Sequence, residues 1–303
     1  MKINLYQIQY NENTAAKKDS GLLTFDCREN PEFLKREIAH LIRFYDEVVV
    51  HADEDDYFGL FSPKFEQKTG LQIQQVREFI LNNPEQDIYL FNPFPMLVYR
   101  HINVWEQAEL MHKGILSIMK KMVEMLNYDF DVEKLHRHNY KQVIYCNYWV
   151  AKKSAFDQIV FFLKKFDNIV KTDSEINSQI FNYTTYVDSR VCFYPFVFER
   201  LVSSFLLLNK KIKVLPYEYT EGFKGQYALN RIERKFYQHP LRNRFNNWEI
   251  NEASNITEIE MKLKIIHDFI YPKHNLKFMR SLTKKVNLFR FKSLEEKLNL
   301  PHD

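Results

Sequence analysis

The chain has 303 residues, 45% of them hydrophobic, and a formal net charge of +4, which supplies core for one large α/β domain or two modest ones. Its longest apolar stretches, residues 159–163 and 205–208, stop well short of the roughly 20 residues a membrane-spanning helix needs, and MKINLYQIQY lacks the apolar run of a secretory leader, so a cytoplasmic protein is expected. Six glycines in all allow neither GxGxxG nor a Walker loop, and three isolated cysteines, Cys27, Cys146 and Cys192, form no CxxC, which excludes glycine-cradled nucleotide sites and a disulfide framework.

After a short strand-like start, ENPEFLKREIAHLIRFYD carries helix signals. Asn30 can cap, Pro31 suits the first helical position, and Phe33, Leu34, Ile38, Leu41, Ile42 and Tyr45 form an apolar stripe. EVVVHA reads as a buried strand and YFGLFSP as a second, ended by Pro63. A helix over 71–82 leads to the strand DIYLFNPF, and a long helix over 104–126 leads to the strand QVIYCNYWV. A helix over 154–170 follows, with Phe156, Ile159, Val160 and Leu163 on one side; then VCFYPFVF reads as strand, ERLVSSFLLL as helix and KIKVLP as strand. This alternation predicts a mixed or parallel sheet covered on both faces, with ligands at the carboxyl ends of the strands. From Gln226 onward helical, basic segments take over, so the chain divides into 1–225 and an extension, 226–303. Residues 271–303 hold eight Lys and Arg against three Asp and Glu, +5, leaving −1 for the rest. There Phe278, Leu282, Val286 and Phe289 recur at helical spacing among Lys277, Arg280, Lys284 and Lys285, the pattern of a segment lying on an anionic membrane surface; a solvated basic tail is the alternative.

On the 104–126 helix, Glu106, Glu109 and His112 follow at steps of three, each about 60° round from the last. A carboxylate beside an imidazole is a general acid–base arrangement, and an exposed helix face carries the same spacing. Glu109 with His112 and Glu133 with His136 spell ExxH twice, as in di-iron bundles, but the 24 positions between the glutamates (133 − 109) leave no room for another glutamate-bearing helix. Asp53, Asp55 and Asp56 follow one expected strand, and Lys64 and Lys68 the next. Such carboxylates suit Mg²⁺ or Mn²⁺ and such lysines a diphosphate, unless the acidic stretch is a solvated turn. Asn147 and Tyr148 precede Trp149 near a strand end, and Arg200 beside Glu199 opens a helix, placed for phosphate or sugar hydroxyls or for capping. Trp105, Tyr148 and Trp149 offer faces for stacking or for core packing.

In chain order, YFGLFSPKFEQKTG, DIYLFNPFP, NVWEQAELMHKG, YCNYWVAKKSAFDQ and FVFERLVSSFL resemble segments of bacterial glycosyltransferases encoded in capsule and lipopolysaccharide gene clusters, over about residues 20–210. The resemblance implies a GT-A-like (Rossmann-like) mixed sheet flanked by helices, a UDP- or GDP-linked sugar donor and a surface glycan or lipid-linked glycan acceptor. With the basic extension, it predicts a cytoplasmic enzyme peripheral to the inner face of the membrane. On this reading Lys64, Lys68, Asn92, Asn147, Glu199 and Arg200 hold the donor, Glu106, Glu109 and His112 supply the acid and base groups, and Asp53 and Asp55 are the ligands of Mg²⁺ or Mn²⁺. The chain departs from the family at the metal motif: a DxD follows a strand near the middle of such domains, whereas DIYLFNPF ends in Asn92 and Pro93. The DxD-like pairs here are Asp53 with Asp55 and Asp129 with Asp131. Two other classes compete. A nucleic-acid-binding protein explains the basic tail, but the body is neutral and standard recognition motifs are missing, so no nucleic-acid partner is expected. A non-catalytic scaffold for polysaccharide assembly needs no acid–base cluster.

Overall fold

Short β-branched and aromatic runs alternate with amphipathic stripes, and the chain folds accordingly as a sheet flanked by helices. The computed structural model describes residues 1–17, 20–128, 132, 136–184, 191–219, 225–273 and 277–301, apart from the side chains of Lys277 and Phe278. In order the elements are β1 (Ile3–Gln9), β2 (Leu23–Asp26), α1 (Glu37–Glu47), β3 (Tyr57–Phe61), α2 (Phe65–Thr69), α3 (Ile73–Asn82), β4 (Ile88–Leu90), α4 (Val104–Met111), α5 (Ile115–Leu126), β5 (Trp149–Lys152), α6 (Lys153–Thr172), α7 (Ser174–Ile180), α8 (Phe193–Leu208) and β6 (Val214–Pro216). Helices alone follow among the described residues: α9 (Arg231–Gln238), α10 (Pro240–Asn251), α11 (Ile256–Ile270), α12 (Lys277–Asn287) and α13 (Phe291–Leu298).

The six strands lie in the order β2-β1-β3-β5-β4-β6. Five run parallel, and β5 runs antiparallel to β3 and β4. Every residue of β3 and β4 is buried, as expected of strands covered on both faces. The register pairs Leu5 with Gly59, Gly59 with Val150 and Tyr89 with Val150. Helix α6 closes one face through Phe156, whose ring meets Trp149 and Phe44 at 4.8 and 6.0 Å. The C-terminal helices share one apolar cluster with the sheet. At their junction the Tyr99 hydroxyl donates to Asn246 Oδ1 at 2.9 Å, and buried Arg137 pairs with Glu249.

The mixed sheet flanked by helices matches the expected architecture, but five elements differ from the sequence reading, one of them QVIYCNYWV, of which only Trp149 and Val150 are strand. Residues 33–35 form a 3₁₀ turn and the helix begins only at Glu37, because Arg36 at φ 50° breaks the run. EVVVHA is no strand: residues 49–51 make a 3₁₀ turn in which the Ala52 N–H donates to the Val49 carbonyl. The 104–126 segment is two helices, parted where Gly114 takes φ 100°. VCFYPFVF starts α8, which is buried on nearly every side, so its sequence lacks the one-faced period that marks a helix. Pro195 sits in the first turn, where its missing N–H removes no intrahelical bond.

Candidate functional site

Parallel strands bring their carboxyl ends to one edge, and there a cavity of about 760 Å³ opens. The end of β1 contributes Tyr10, and the turn after β3 contributes Ser62, Pro63 and Lys64, with Lys68 following on α2. Because β5 runs the other way, it is its entry, with Asn147 two residues before the strand, that reaches this edge. The segment after β2 adds Asn30, Phe33, Arg36, Glu37 and His40, so the amino end of α1 lines the wall. Helix α8 adds Phe196 and Glu199, and Gln226 and Tyr227 complete the lining, tied by the Gln226 N–H to the Gln67 carbonyl at 2.7 Å.

Charge in this cavity is concentrated and interlocked. Glu37 is half-buried and accepts a hydrogen bond from the Tyr10 hydroxyl at 3.1 Å. Burial holds its carboxyl above the ordinary range, against the opposing pull of Lys68. The Lys68 ammonium donates to Cys146 Sγ at 3.2 Å; burial alone would lower it, but this hydrogen bond and the carboxylates of Glu37 and Glu199 hold it above its usual value. Burial, reinforced by Glu199, pushes the Cys146 thiol up to about 12, so it stays protonated and unreactive. Glu199 accepts from the Cys146 backbone N–H. His40 is 2% exposed, its Nε2 has no hydrogen-bond partner, and burial with nearby Arg43 lowers it to about 4. It therefore stands neutral in the cavity wall.

The wall is braced from behind. Lys35, one residue before Arg36, pairs with buried Asp167 at 3.0 Å, and Asp167 also accepts from the Tyr194 hydroxyl at 2.7 Å and pairs with Lys171 at 2.7 Å. Burial opposes the Asp167 charge, but these three donors outweigh it and keep the carboxyl below its usual range. Three non-glycine residues at positive φ gather here: Arg36 (50°), Cys146 (64°) and Asn147 (53°). Such backbone persists only where neighbours over-determine it. The Asp167 cluster and the Glu199 carboxylate are those neighbours.

Comparisons with family models, with curated proteins and with solved structures return no match. The cavity is therefore read from its own chemistry.

Of the six residues expected to hold a donor, Lys64, Lys68, Asn147 and Glu199 meet in the cavity. Asn92 and Arg200 do not. The Asn92 side chain donates to the Val143 carbonyl at 3.2 Å and accepts from the Phe94 N–H at 3.0 Å, beside a separate void of about 30 Å³. Arg200 is 3% exposed and rivets α8 to α4, donating to the Val104 carbonyl at 3.2 Å, the Phe196 carbonyl at 2.9 Å and Gln107 Oε1 at 2.6 Å.

The expected acid–base helix is corrected by the break at Gly114. Glu109 turns back to cap α5, accepting from the Gly114 and Leu116 N–H groups at 2.9 and 3.1 Å. Glu106 accepts from the Ile102 N–H at 2.6 Å and lines a different cavity of about 350 Å³. His112 ends α4 rather than extending its face; it is 3% exposed and stacks on Phe196 at 3.7 Å. None of the three lines the main cavity.

The metal expectation is corrected as well. Asp53 and Asp55 are exposed and precede β3, at the opposite edge of the sheet from the cavity; Asp55 is paired with Lys152 at 2.7 Å. They faced the site only if EVVVHA were a strand. These carboxylates do not fit a metal serving the cavity, and among the described residues no cluster of three potential ligands occurs. Asp129, Asp131 and Glu133 lie outside the described residues. Trp105, Tyr148 and Trp149 are each 1% exposed and belong to the core, not to a stacking surface.

Sequence reasoning missed Tyr10, Arg36, Glu37 and His40. The signal was the strand LTFD, which becomes β2: a loop after a parallel strand lies at the ligand edge, and the charged REIAH that follows it sits in the cavity wall.

Proposed function

We propose that the protein is a glycosyltransferase of the GT-A-like class, taking a UDP- or GDP-linked sugar in the 760 Å³ cavity and transferring it to a surface glycan or lipid-linked glycan. The observation that carries this reading is the meeting of Lys64, Lys68, Asn147 and Glu199, drawn from three separate chain segments, at the carboxyl edge of a largely parallel sheet. A volume of this size suits a nucleotide sugar. Arg36, Lys64 and Lys68 offset the charge of the diphosphate, and such preorganised charge is among the largest catalytic terms where a leaving group gains negative charge. Tyr10, Phe33 and Tyr227 offer aromatic faces to base or sugar.

Glu37 takes the proton. As the acceptor oxygen bonds to the anomeric carbon, the bond from that carbon to the diphosphate oxygen breaks, the nucleoside diphosphate leaves with the electron pair, and the acceptor hydroxyl proton passes to the Glu37 carboxylate. The raised affinity of this carboxyl for its proton is what such a step needs near neutral pH.

Thermal unfolding in the presence of UDP, GDP or CMP tests the assignment. A ligand at a hundred times its Kd stabilises the folded state by about 2.7 kcal/mol. UDP or GDP should raise Tm, and Lys64→Ala and Lys68→Met should weaken that rise while leaving the ligand-free Tm within a few degrees. No shift with any nucleotide at millimolar concentration would remove the basis of the reading, and release of nucleotide from a panel of sugar donors, with and without Mn²⁺, checks the transfer chemistry.

A further inference from the structure

Helix α12 is mounted inside out. Its anchors are polar or small in number: Asn287 is buried and donates to the Phe269 carbonyl at 2.7 Å, Leu288 just beyond the helix is buried, and Lys284 is half-buried over the Tyr271 ring at 5.8 Å. The large apolar side chains described on it face outward instead. Met279, Leu282, Val286 and, past the helix end, Phe289 are 39, 44, 38 and 84% exposed. At 100° per residue Met279, Leu282 and Val286 fall within an arc of about 60°, so they make one strip rather than scattered exposures, and Phe289 follows two residues past the helix end. The packing against α9 and α11 fixes which way the strip points.

What surrounds the strip decides what covers it. From 277 to 292 the sequence holds Lys277, Arg280, Lys284, Lys285, Arg290 and Lys292 and not one Asp or Glu. Arg280, Lys285, Arg290 and Lys292 are exposed, and Lys235 of α9 stands over the Phe289 ring at 5.8 Å. A second copy of the chain docked here would set these cations against their own images. A nucleic acid would answer the charge but leave Leu282 and Val286 exposed, since neither offers a stacking face. An acidic lipid surface answers both features: phosphates meet the cations while the apolar strip enters the acyl boundary.

We infer that the face formed by Met279, Leu282, Val286 and Phe289 docks the protein in the plane of an anionic bilayer, with Phe289 inserted. The inference does not depend on what the main cavity binds. No described helix is long and apolar enough to cross a membrane, so the contact is made from one side.

Flotation of the full chain with phosphatidylglycerol-containing vesicles, against pure phosphatidylcholine vesicles, is the test. Wild type should float with the acidic vesicles and be released by salt. Leu282→Glu with Phe289→Glu should reduce binding about tenfold or more, and Lys285→Glu with Arg290→Glu comparably. Unchanged Tm in both pairs shows that the fold is intact. The inference is overturned if wild type does not float with acidic vesicles or if the Leu282/Phe289 pair floats like wild type. It is equally overturned if a duplex oligonucleotide is bound in place of vesicles with no effect of that pair.

Discussion

At the scale of single residues, Glu37 is the group whose behaviour separates a catalytic cavity from a merely polar one. Its folded pKa is raised, so its proton leaves later than from a free carboxyl. As a proton acceptor it should give kcat/KM an acid limb centred above the ordinary carboxylate range, with activity rising as pH increases through it. Glu37→Gln keeps an oxygen for the Tyr10 hydroxyl but removes the base, and turnover should fall on the order of 100-fold or more. The sign for stability is opposite. A carboxyl whose pKa is raised on folding favours the native state below its unfolded pKa and loses that contribution as pH rises through the folded value. The Gln variant should therefore unfold at neutral pH no earlier than wild type. Wild-type turnover in Glu37→Gln would remove Glu37 from the mechanism. Lys64 and Asn147 were legible as cavity-lining positions because they sit beside strand ends, where polar groups stay near the edge whatever the packing, while Lys68 and Glu199 reach the same cavity from α2 and α8. Residue spacing misled at Glu109, because steps of three have meaning only while the helix continues, and Gly114 was the stop signal that outranked them.

Among the elements, β3 carries the tightest constraint. A Cβ on Gly59 would lie 2.8 Å from Val150 Cγ2 and 3.2 Å from Leu5 Cδ2, so β1 and β5 both close over this glycine. Val150 is β-branched and held in β5, so it cannot swing away. Gly59→Ala should cost about 1–3 kcal/mol in urea unfolding, the usual penalty for overpacking. A change under a few tenths of a kcal/mol would mean that the strands separate more easily than the contacts imply. Strand β3 was legible because YFGLF is a buried apolar run ended by Ser62 and Pro63. The start of α8 was not: an apolar run buried all round looks the same as strand or as helix.

For the molecule as a whole, buried neutral histidines set the acid limit. His40, His112 and His138 are 2, 3 and 0% exposed, and burial lowers them to about 4, about 4 and about 3. Nearby arginines reinforce each shift: Arg43, Arg200 and Arg137 respectively. In the unfolded chain each would take a proton near pH 6.5, so their contribution to stability is complete above that pH and is lost as pH falls toward 4. Each histidine contributes a slope of about 1.4 kcal/mol per pH unit inside that window. Chemical denaturation between pH 7 and pH 4 should show stability dropping steeply from about pH 6.5, before paired carboxylates such as Asp167 begin to titrate. A flat profile over that range would mean that these histidines are protonated in the folded state.

The reversed strand has a consequence in time. Strands β3 and β4 never pair with each other; each is joined to the sheet's other half only through β5. When the chain emerges from a ribosome, residue 90 completes β4 and 58 further residues (91–148) must follow before β5 begins. At about 5–20 residues per second that interval lasts on the order of several seconds. Throughout it the nascent protein has a three-stranded fragment, β2-β1-β3, and a β4 with no partner yet made, each with a bare, wholly buried-type strand edge open to pairing with any other extended chain. The four residues of β5 then close both edges at once and join β4 to the other strands, leaving only β6 to add at the far side of β4.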